Sequence, residues 1–406
     1  MERRVVITGL GIWSCLGTNL DEVRQSLYSG KSGIIFSQAR KDAGFRSALC
    51  ADVPKADLKK YLSRDLRKLM PEEAQYGYLA TIQALEHAKL DQDFLDQNEV
   101  GVIYGNDSVA EATMQALDKF RQAGSTAACG SGAIFQSMNS TVTMNLATLL
   151  HLRGINLTAS AACASGSHSV GLGYLLIKDG LQDCIICGGA QEANMYSVAS
   201  FDGLMAFSTR EDEPTKASRP FDRDRDGLIP GGGAATLVLE SYEHAVKRGA
   251  PILAEIVGWG FSGNGNHIST PNVAGPTRSL ELCLKNGGIN PRDIGYINAH
   301  ATSTHAGDGR EALAIANIFG DYRVPVTSTK SQTGHEMWMA GASELIYSML
   351  MMKNDFIAGS LNFENPDDDT ACINVIPETR EAHFDMFLSN SFGFGGTNSS
   401  LIIKNL

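Results

Sequence analysis

No stretch of the sequence approaches the roughly 18 consecutive apolar residues that a membrane-spanning helix needs, so no transmembrane anchor is expected. The start, Met1-Glu2-Arg3-Arg4-Val5-Val6-Ile7-Thr8-Gly9, runs straight into a strand-like segment without a signal peptide, and a cytoplasmic location is the expectation. Positive charge is in deficit: 34 Lys and Arg stand against 45 Asp and Glu, a net charge of −11. So acidic a chain is a poor general partner for nucleic acid, whose binding depends on phosphate neutralisation. It leaves room for a local basic patch that meets an acidic partner. A disulfide framework is also lacking. The eight cysteines are scattered, mostly in apolar surroundings of a long chain. Cys184-Ile185-Ile186-Cys187 has metal-ligand spacing, but residues three apart on a strand face opposite sides, which excludes one metal or one disulfide there. Gly231-Gly232-Gly233 lacks the Lys and Ser/Thr of a phosphate loop. Thr8-Gly9-Leu10-Gly11 lacks the third glycine of a dinucleotide turn.

What is present is enough for two cores: 406 residues, 43% of them hydrophobic, with 42 glycines set between apolar runs. Val- and Ile-rich segments predict strands at 5–9, 100–104, 155–159, 184–188 and 235–239. A second set follows at 252–262, 294–299, 324–327, 387–390 and 400–403. Between them, helices are predicted at 20–29, 71–88, 108–123, 137–151, 166–179, 277–286, 308–318 and 340–353. The alternation indicates an α/β architecture. Each half has a strand, a loop bearing a reactive residue and a small-residue helix. This suggests a duplicated unit, residues 1–250 and 251–406, with the break near Glu240 to Pro251. The run Arg219-Pro220-Phe221-Asp222-Arg223-Asp224-Arg225-Asp226-Gly227 reads as a solvated, self-paired loop.

Cys163 sits between Ile155–Leu157, read as a buried strand end, and the helix-like run from Ala164. Unpaired N–H groups and the helix dipole at such a junction favour an anion, and the expectation is a lowered thiol pKa. A lone cysteine beside alanines would ordinarily be core. Two histidines shift that weighting: His300 in Asn298-Ala299-His300-Ala301-Thr302-Ser303-Thr304, and His335 in Ser328-Thr329-Lys330-Ser331-Gln332-Thr333-Gly334-His335-Glu336. A thiol and two imidazoles point to acyl transfer through a thioester. Gly393-Phe394-Gly395-Gly396 is either a backbone cradle for an oxyanion or the tight turn of a last hairpin.

Together these segments resemble the β-ketoacyl-acyl-carrier-protein synthases, nearly end to end, from Val5–Gly11 to Gly393–Asn398. The likeness is nearest to synthase I, with synthase II close behind. It implies a thiolase-like fold, two α/β halves in a five-layered αβαβα body. It implies Cys163 as nucleophile, His300 and His335 as catalytic histidines and Lys330 as their support, paired with Glu344. The N–H groups of Cys163 and Phe394 would form an oxyanion hole, with Phe392 and Phe394 gating the acyl chain. Thr302 and Thr304 would bind the carrier's phosphopantetheine arm. In some relatives a structural cation occupies the region of Asn298, Glu344, Ser389 and Asn390; no metal or redox cofactor is expected for the reaction.

The implied activity is decarboxylative Claisen condensation of an acyl group on Cys163 with malonyl-acyl-carrier protein, in fatty-acid or related polyene or polyketide elongation. Alternatives are a specialised ketosynthase acting with a chain-length-factor-like subunit, and a non-elongating partner subunit, which Cys163 argues against. A thiolase would carry a second cysteine where Phe394-Gly395-Gly396 stands. The chalcone-synthase group differs at Lys330 and His335, and the histidine pair makes a thioester hydrolase a poorer fit. The expected partner is an acidic acyl carrier protein, with Arg64, Arg67, Lys68, Lys119 and Arg121 as candidate docking residues. A homodimer is expected, a heterodimer being the alternative. Two departures stand out. Ala301 and His305 replace the Gly and Pro of His-Gly-Thr-Ser-Thr-Pro. After His335, where relatives have small residues, the chain reads Glu336-Met337-Trp338-Met339. Trp338 in place of glycine is a large volume change, and Trp338 and Met339 are expected to reshape the acyl channel or the dimer surface.

Overall fold

The computed structural model describes residues 3–406. One continuous sheet of eleven strands runs through it. The first half supplies β1 (Val5–Trp13), β2 (Val100–Gly105), β3 (Asn156–Ala159), β4 (Cys184–Gln191) and β5 (Gly233–Ser241). The second supplies β6 (Ala254–Gly263), β7 (Tyr296–Asn298), β8 (Pro325–Thr327), the short β9 (Asn374–Val375), β10 (Met386–Gly393) and β11 (Thr397–Lys404). The order is β9-β8-β7-β10-β11-β6-β1-β5-β4-β2-β3.

Read outward from the β1–β6 junction, the two halves match strand for strand. β2 is parallel to β3 and β4, and β5 is antiparallel to β4 and β1. In the same way β7 is parallel to β8 and β10, and β11 is antiparallel to β10 and β6. The repeat inferred from pattern is thus present as topology.

Six helices complete the layers. α1 (Glu72–Ala88) and α2 (Thr141–Leu149) cover the outer face of the first half. α4 (Ala274–Gly287) and α5 (His305–Phe319) cover the second. α3 (Ser165–Lys178) and α6 (Ala340–Lys353) lie between the halves, in a core that draws Ile7 and Ile185 from one and Phe387 and Leu401 from the other. This is the five-layered αβαβα arrangement. The first glycine motif is explained by layer contact: a Cβ on Gly9 or Gly11 would meet the carbonyl oxygens of Ala84 or Ala80 on α1 at 2.2 and 1.9 Å.

Cys187 belongs to the central core and Cys184 to the outer one, so the pair does face opposite sides of β4. Two expectations change. The segment before Cys163 is not a buried strand end: β3 is the sheet's edge, with Asn156 exposed and Leu157 43% exposed. The Arg219–Gly227 run is solvated only in part: Arg223, Asp224 and Asp226 are exposed, and it does pair with itself through Arg219–Asp222 and Arg223–Asp224. Arg219, Asp222 and Arg225 are buried, the last at 1% exposure, and they pair inward rather than with water. No helix among the described residues is long and apolar enough to cross a membrane.

Candidate active site

The turn that carries Cys163 is built twice. After β3, Ala162–Ala164 make one turn of 3-10 helix and α3 begins at Ser165. In the second half Met337–Met339 make the same turn and α6 begins at Ala340. The first residue of each has a left-handed backbone, Ala162 at φ 46° and Met337 at φ 47°. That conformation is costly for a residue with a Cβ, so each kink is held by its surroundings. Cys163 and Trp338 are therefore equivalent positions, and both join one buried cluster with Val198, Phe207, Leu228 and Met337. Gly166 and Gly341 let the two helix starts touch: a Cβ on Gly341 would lie 2.4 Å from the Ser167 nitrogen, and one on Gly166 2.9 Å from the Trp338 carbonyl oxygen.

The histidines reach this crossing from the second half. The Cys163 thiol and one ring nitrogen each of His300 and His335 lie within 4.8 Å of one another. The imidazoles meet edge to face, centroids 5.3 Å apart at 85°. Burial first, then the Lys330 charge, hold both well below the usual histidine range, so both are neutral. His335 Nδ1 accepts the Met337 N–H at 3.2 Å, which leaves its proton on Nε2; that atom is buried and has no partner. Lys330 donates to Glu344, both buried. Burial pushes the Glu344 carboxyl up to about 7 against the pull of Lys330.

The expectation of a lowered thiol is overturned. Burial pushes Cys163 up to about 11, outweighing the Lys330 charge and the N–H groups of Phe394 and Cys163 itself. Those N–H groups nevertheless face the sulfur, and the last hairpin brings one of them there. Gly393 pairs with Thr397 across the β10–β11 turn, so the glycine segment is both the hairpin turn and a wall of the site. A Cβ on Gly393 would stand 3.1 Å from both the Cys163 nitrogen and the Ala161 oxygen. Phe392 lies 6.0 Å from the His300 ring, and Phe394 is partly exposed and stacks on Phe201.

A cavity of about 310 Å³ opens over these groups, and Cys163, His300, His335, Phe392 and Phe394 line it together with Thr302 and Thr304. The two threonine hydroxyls are 3.2 Å apart. None of Arg64, Arg67, Lys68, Lys119 and Arg121 lines it; Lys68 and Arg121 are exposed and pair with Asp65 and Asp118. The Lys or Arg that does line it is the exposed Arg310.

Several residues that hold the site escaped the sequence reading. Glu311 accepts the N–H groups of His300 and Ala301 at 2.9 and 2.7 Å and the Asn390 amide at 3.0 Å. Asp308 accepts those of Thr302 and Phe221 at 2.9 and 2.8 Å. Both lie in the first turns of α5, three residues apart, a spacing that points them back at the loop and was visible in the sequence. Burial raises these carboxyls, Asp308 to about 6 and Glu311 to about 7. Arg225 donates to the carbonyls of Thr304 and His305, so the charge run braces the same loop. Gly231 donates to the His335 carbonyl, which is what the glycine run approaches. Asp107, just beyond β2, takes the Ser160 hydroxyl and faces the Ala162 N–H, bracing the turn that carries Cys163.

Comparison with known proteins places this geometry. Residues 2–245 match the beta-ketoacyl synthase N-terminal domain and residues 253–364 the C-terminal domain. The 3-oxoacyl-[acyl-carrier-protein] synthase 1 of Haemophilus influenzae is 41% identical over 99% of this chain and 99% of its own length. A beta-ketoacyl synthase structure from Burkholderia phymatum superposes with a TM-score of 0.95 at 37% identity, covering 100% of both chains. A type II PKS ketosynthase solved with its acyl-carrier protein and bound to the hexaketide (AntDE:AntF) superposes at 0.90 with 27% identity, again over 100% of both chains. A duplicated α/β body with a cysteine and two neutral histidines at its central crossing, matched along nearly its whole length, belongs to the β-ketoacyl synthase family.

Proposed function

We propose that this chain condenses an acyl group, held on Cys163, with a malonyl group on acyl carrier protein, releasing CO₂ and a β-ketoacyl thioester. The convergence of the Cys163 thiol with two neutral imidazoles on the floor of one cavity is the observation that carries the reading. Cys163 attacks the acyl thioester. At rest the thiol is protonated, so attack is coupled to proton loss; the acyl–sulfur bond to the carrier breaks, and the departing pantetheine sulfur leaves as the thiol with that proton. The Lys330 charge and the two N–H groups that already oppose burial hold the thiolate as it forms. The same N–H groups, of Cys163 and Phe394, meet the tetrahedral oxyanion. Malonyl thioester then loses CO₂ and its enolate oxygen needs donors. His335, with Nε2–H free and aimed inward, is one, and neutral His300 the other; each is worth about 3 kcal/mol. The carbanion attacks the acyl-cysteine. Lys330 and Glu344 fix the field behind the histidines, Phe392 and Phe394 gate the chain, and Thr302 and Thr304 hold the pantetheine arm.

Asn298 Oδ1 and Glu344 Oε2 are buried without partners, hard oxygen donors of the kind a structural cation takes. These two residues would hold such an ion, which would add positive charge behind the histidines; Asn390 is committed to Glu311 and Ser400.

Arg310, with the exposed Arg64 and Lys68, suits an acidic carrier. A second copy of the chain accounts for the uncovered side of the first half. The edge strand β3 is exposed, and the helix Glu111–Ala123 and the turns to Ser137 contain no buried residue, with Met114, Leu117, Phe120, Ile134 and Phe135 exposed. Eight unpaired cysteines suit a reducing compartment, the cytoplasm. The deciding experiment incubates the protein with acyl-carrier thioesters and then malonyl-carrier protein, reading intact mass and β-ketoacyl product. The expected result is one acyl group on Cys163 and its transfer; a Cys163→Ser variant condensing at the native rate would overturn the reading.

A further inference from the structure

The cavity over Cys163 borders the cluster that Cys163 shares with Trp338, although Trp338 itself stands behind the lining residues. The cavity and that cluster have Cys163, Phe201, Ala206 and Leu228 in common. Aromatic rings dominate the junction. Phe201 lies 6.4 Å from Phe207 at 11°, 6.0 Å from Phe394 at 17° and 6.3 Å from Trp338 at 49°. Trp338 is only 6% exposed, and its indole N–H has no partner. A buried donor left unpaired keeps its full desolvation cost uncompensated. Water is a poor remedy: it needs two to four polar partners, and the side chains of this cluster are hydrocarbon, aromatic or sulfur-bearing. Met339, expected to act with Trp338, faces elsewhere, fully buried in the central core with Ile12 and Ile103.

We propose that Trp338 is a specificity-determining residue that selects a flat, unsaturated acyl chain on Cys163 over a saturated chain of equal length. The inference rests on the condensing activity proposed above and names the class of chain that it takes. Hydrophobic burial is similar for the two chains and does not discriminate. The π-face of a conjugated chain accepts the indole N–H and lies against the phenyl rings, contacts a saturated chain lacks. A conjugated chain also has fewer rotors to freeze. A hydroxylated chain fits worse, because its own O–H finds no side-chain acceptor in the cluster.

The test compares acylation of Cys163 by octanoyl- and octatrienoyl-carrier protein, read by intact mass, in the native protein and in Trp338→Phe and Trp338→Leu. The native protein is expected to favour the trienoyl chain by about tenfold. Trp338→Phe, which keeps a ring and loses the N–H, should cut that ratio to about threefold, and Trp338→Leu to near unity. The ratio is internal to each protein, so a variant of low overall activity still reports; should the leucine variant fail to fold, the phenylalanine variant decides. Equal rates in the native protein, or a ratio unchanged in Trp338→Phe and in whatever leucine variant folds, would overturn the selectivity and leave the condensing reading intact. No adduct from either chain would overturn both.

Discussion

The two helix-start turns share a backbone and one buried cluster, and differ in the side chains they carry and in what flanks them. Counted from the helices, Ala162 matches Met337, Cys163 matches Trp338 and Ser160 matches His335. Counted from the strands, Asp107 stands two residues past β2 as His300 stands two past β7. In one half the outer pair, Asp107 and Ser160, hydrogen-bonds to itself and braces the kink. In the other half the outer pair is His300 and His335, held neutral with ring nitrogens free. The same positions thus hold a hydrogen-bonded brace in one half and, in the proposed reaction, the donors to the enolate in the other. Position on the repeated frame does not decide which: the second half lends Cys163 the Phe394 N–H and the Lys330 charge, and Trp338 has phenyl rings for neighbours.

The most severe way to break the comparison is to move the thiol across it. Cys163→Ala is expected to abolish acylation and to lower condensation on the order of 10⁴-fold, the scale at which a nucleophile's removal is felt. Adding Trp338→Cys to that variant puts a thiol on the matching turn. It should restore nothing, because the Phe394 N–H serves the sulfur at 163. Acylation of the transplanted thiol would show that the turn alone makes the nucleophile.

The outer pairs can be separated next. His300→Ala or His335→Ala should lower malonyl decarboxylation by about 10²–10³-fold, the usual effect of removing one donor to a developing oxyanion, while Cys163 still takes an acyl group. Asp107→Ala should do the reverse on a smaller scale, slowing acylation about tenfold with decarboxylation little changed. Parallel losses in both half-reactions for both variants would erase the distinction between scaffold and chemistry.

Apolar period and length made the strands, helices and repeat legible, and the four chemistry-bearing segments were found because Cys, His and Gly are conspicuous in them. The supporting shell was harder to read. Arg219 to Asp226 has the composition of a surface loop, and only coordinates reveal that Arg225 is spent on Thr304 and His305. Asp107 lies 56 residues before Cys163 and is brought to it by β2 pairing with β3, a long-range fact no local pattern holds. The thiol went wrong for a related reason. The junction's N–H groups were inferred correctly, but the burial that outweighs them depends on side chains from both halves.

The hairpin's approach to the nucleophile can be loosened by one atom. Gly393→Ala places a methyl 3.0 Å from Thr397 Cγ2 and 3.1 Å from the Cys163 nitrogen, so the loop must retreat by a few tenths of an ångström. A displacement of that size at the Phe394 N–H should cost about tenfold in acylation. Because Trp338 borrows nothing from Gly393, the trienoyl-to-octanoyl ratio should hold; a changed ratio with an unchanged rate would reverse the roles assigned to the two turns.

The smallest effect concerns the carboxyl beside His335. Glu336 is buried, accepts the hydroxyls of Ser343 and Tyr347, and is pushed up to about 7 by burial. Its ordinary value is 4.5, so the folded protein holds a proton there that the unfolded chain has released. Its contribution to stability is complete below pH 4.5 and is lost as pH rises to about 7. The two histidines act with the opposite sign. Held neutral in the fold and charged below 6.5 when unfolded, they contribute stability that is lost as pH falls. Between about pH 4.5 and 6.5 the terms oppose and flatten the curve. Glu336→Gln removes one of them and leaves the histidines, so urea unfolding should find the variant weakest relative to the native protein at pH 5 and closest to it at pH 8. A gap that stays constant, or widens towards pH 8, would mean that the Glu336 proton is not held by the fold, and that the second half's turn is braced by packing alone.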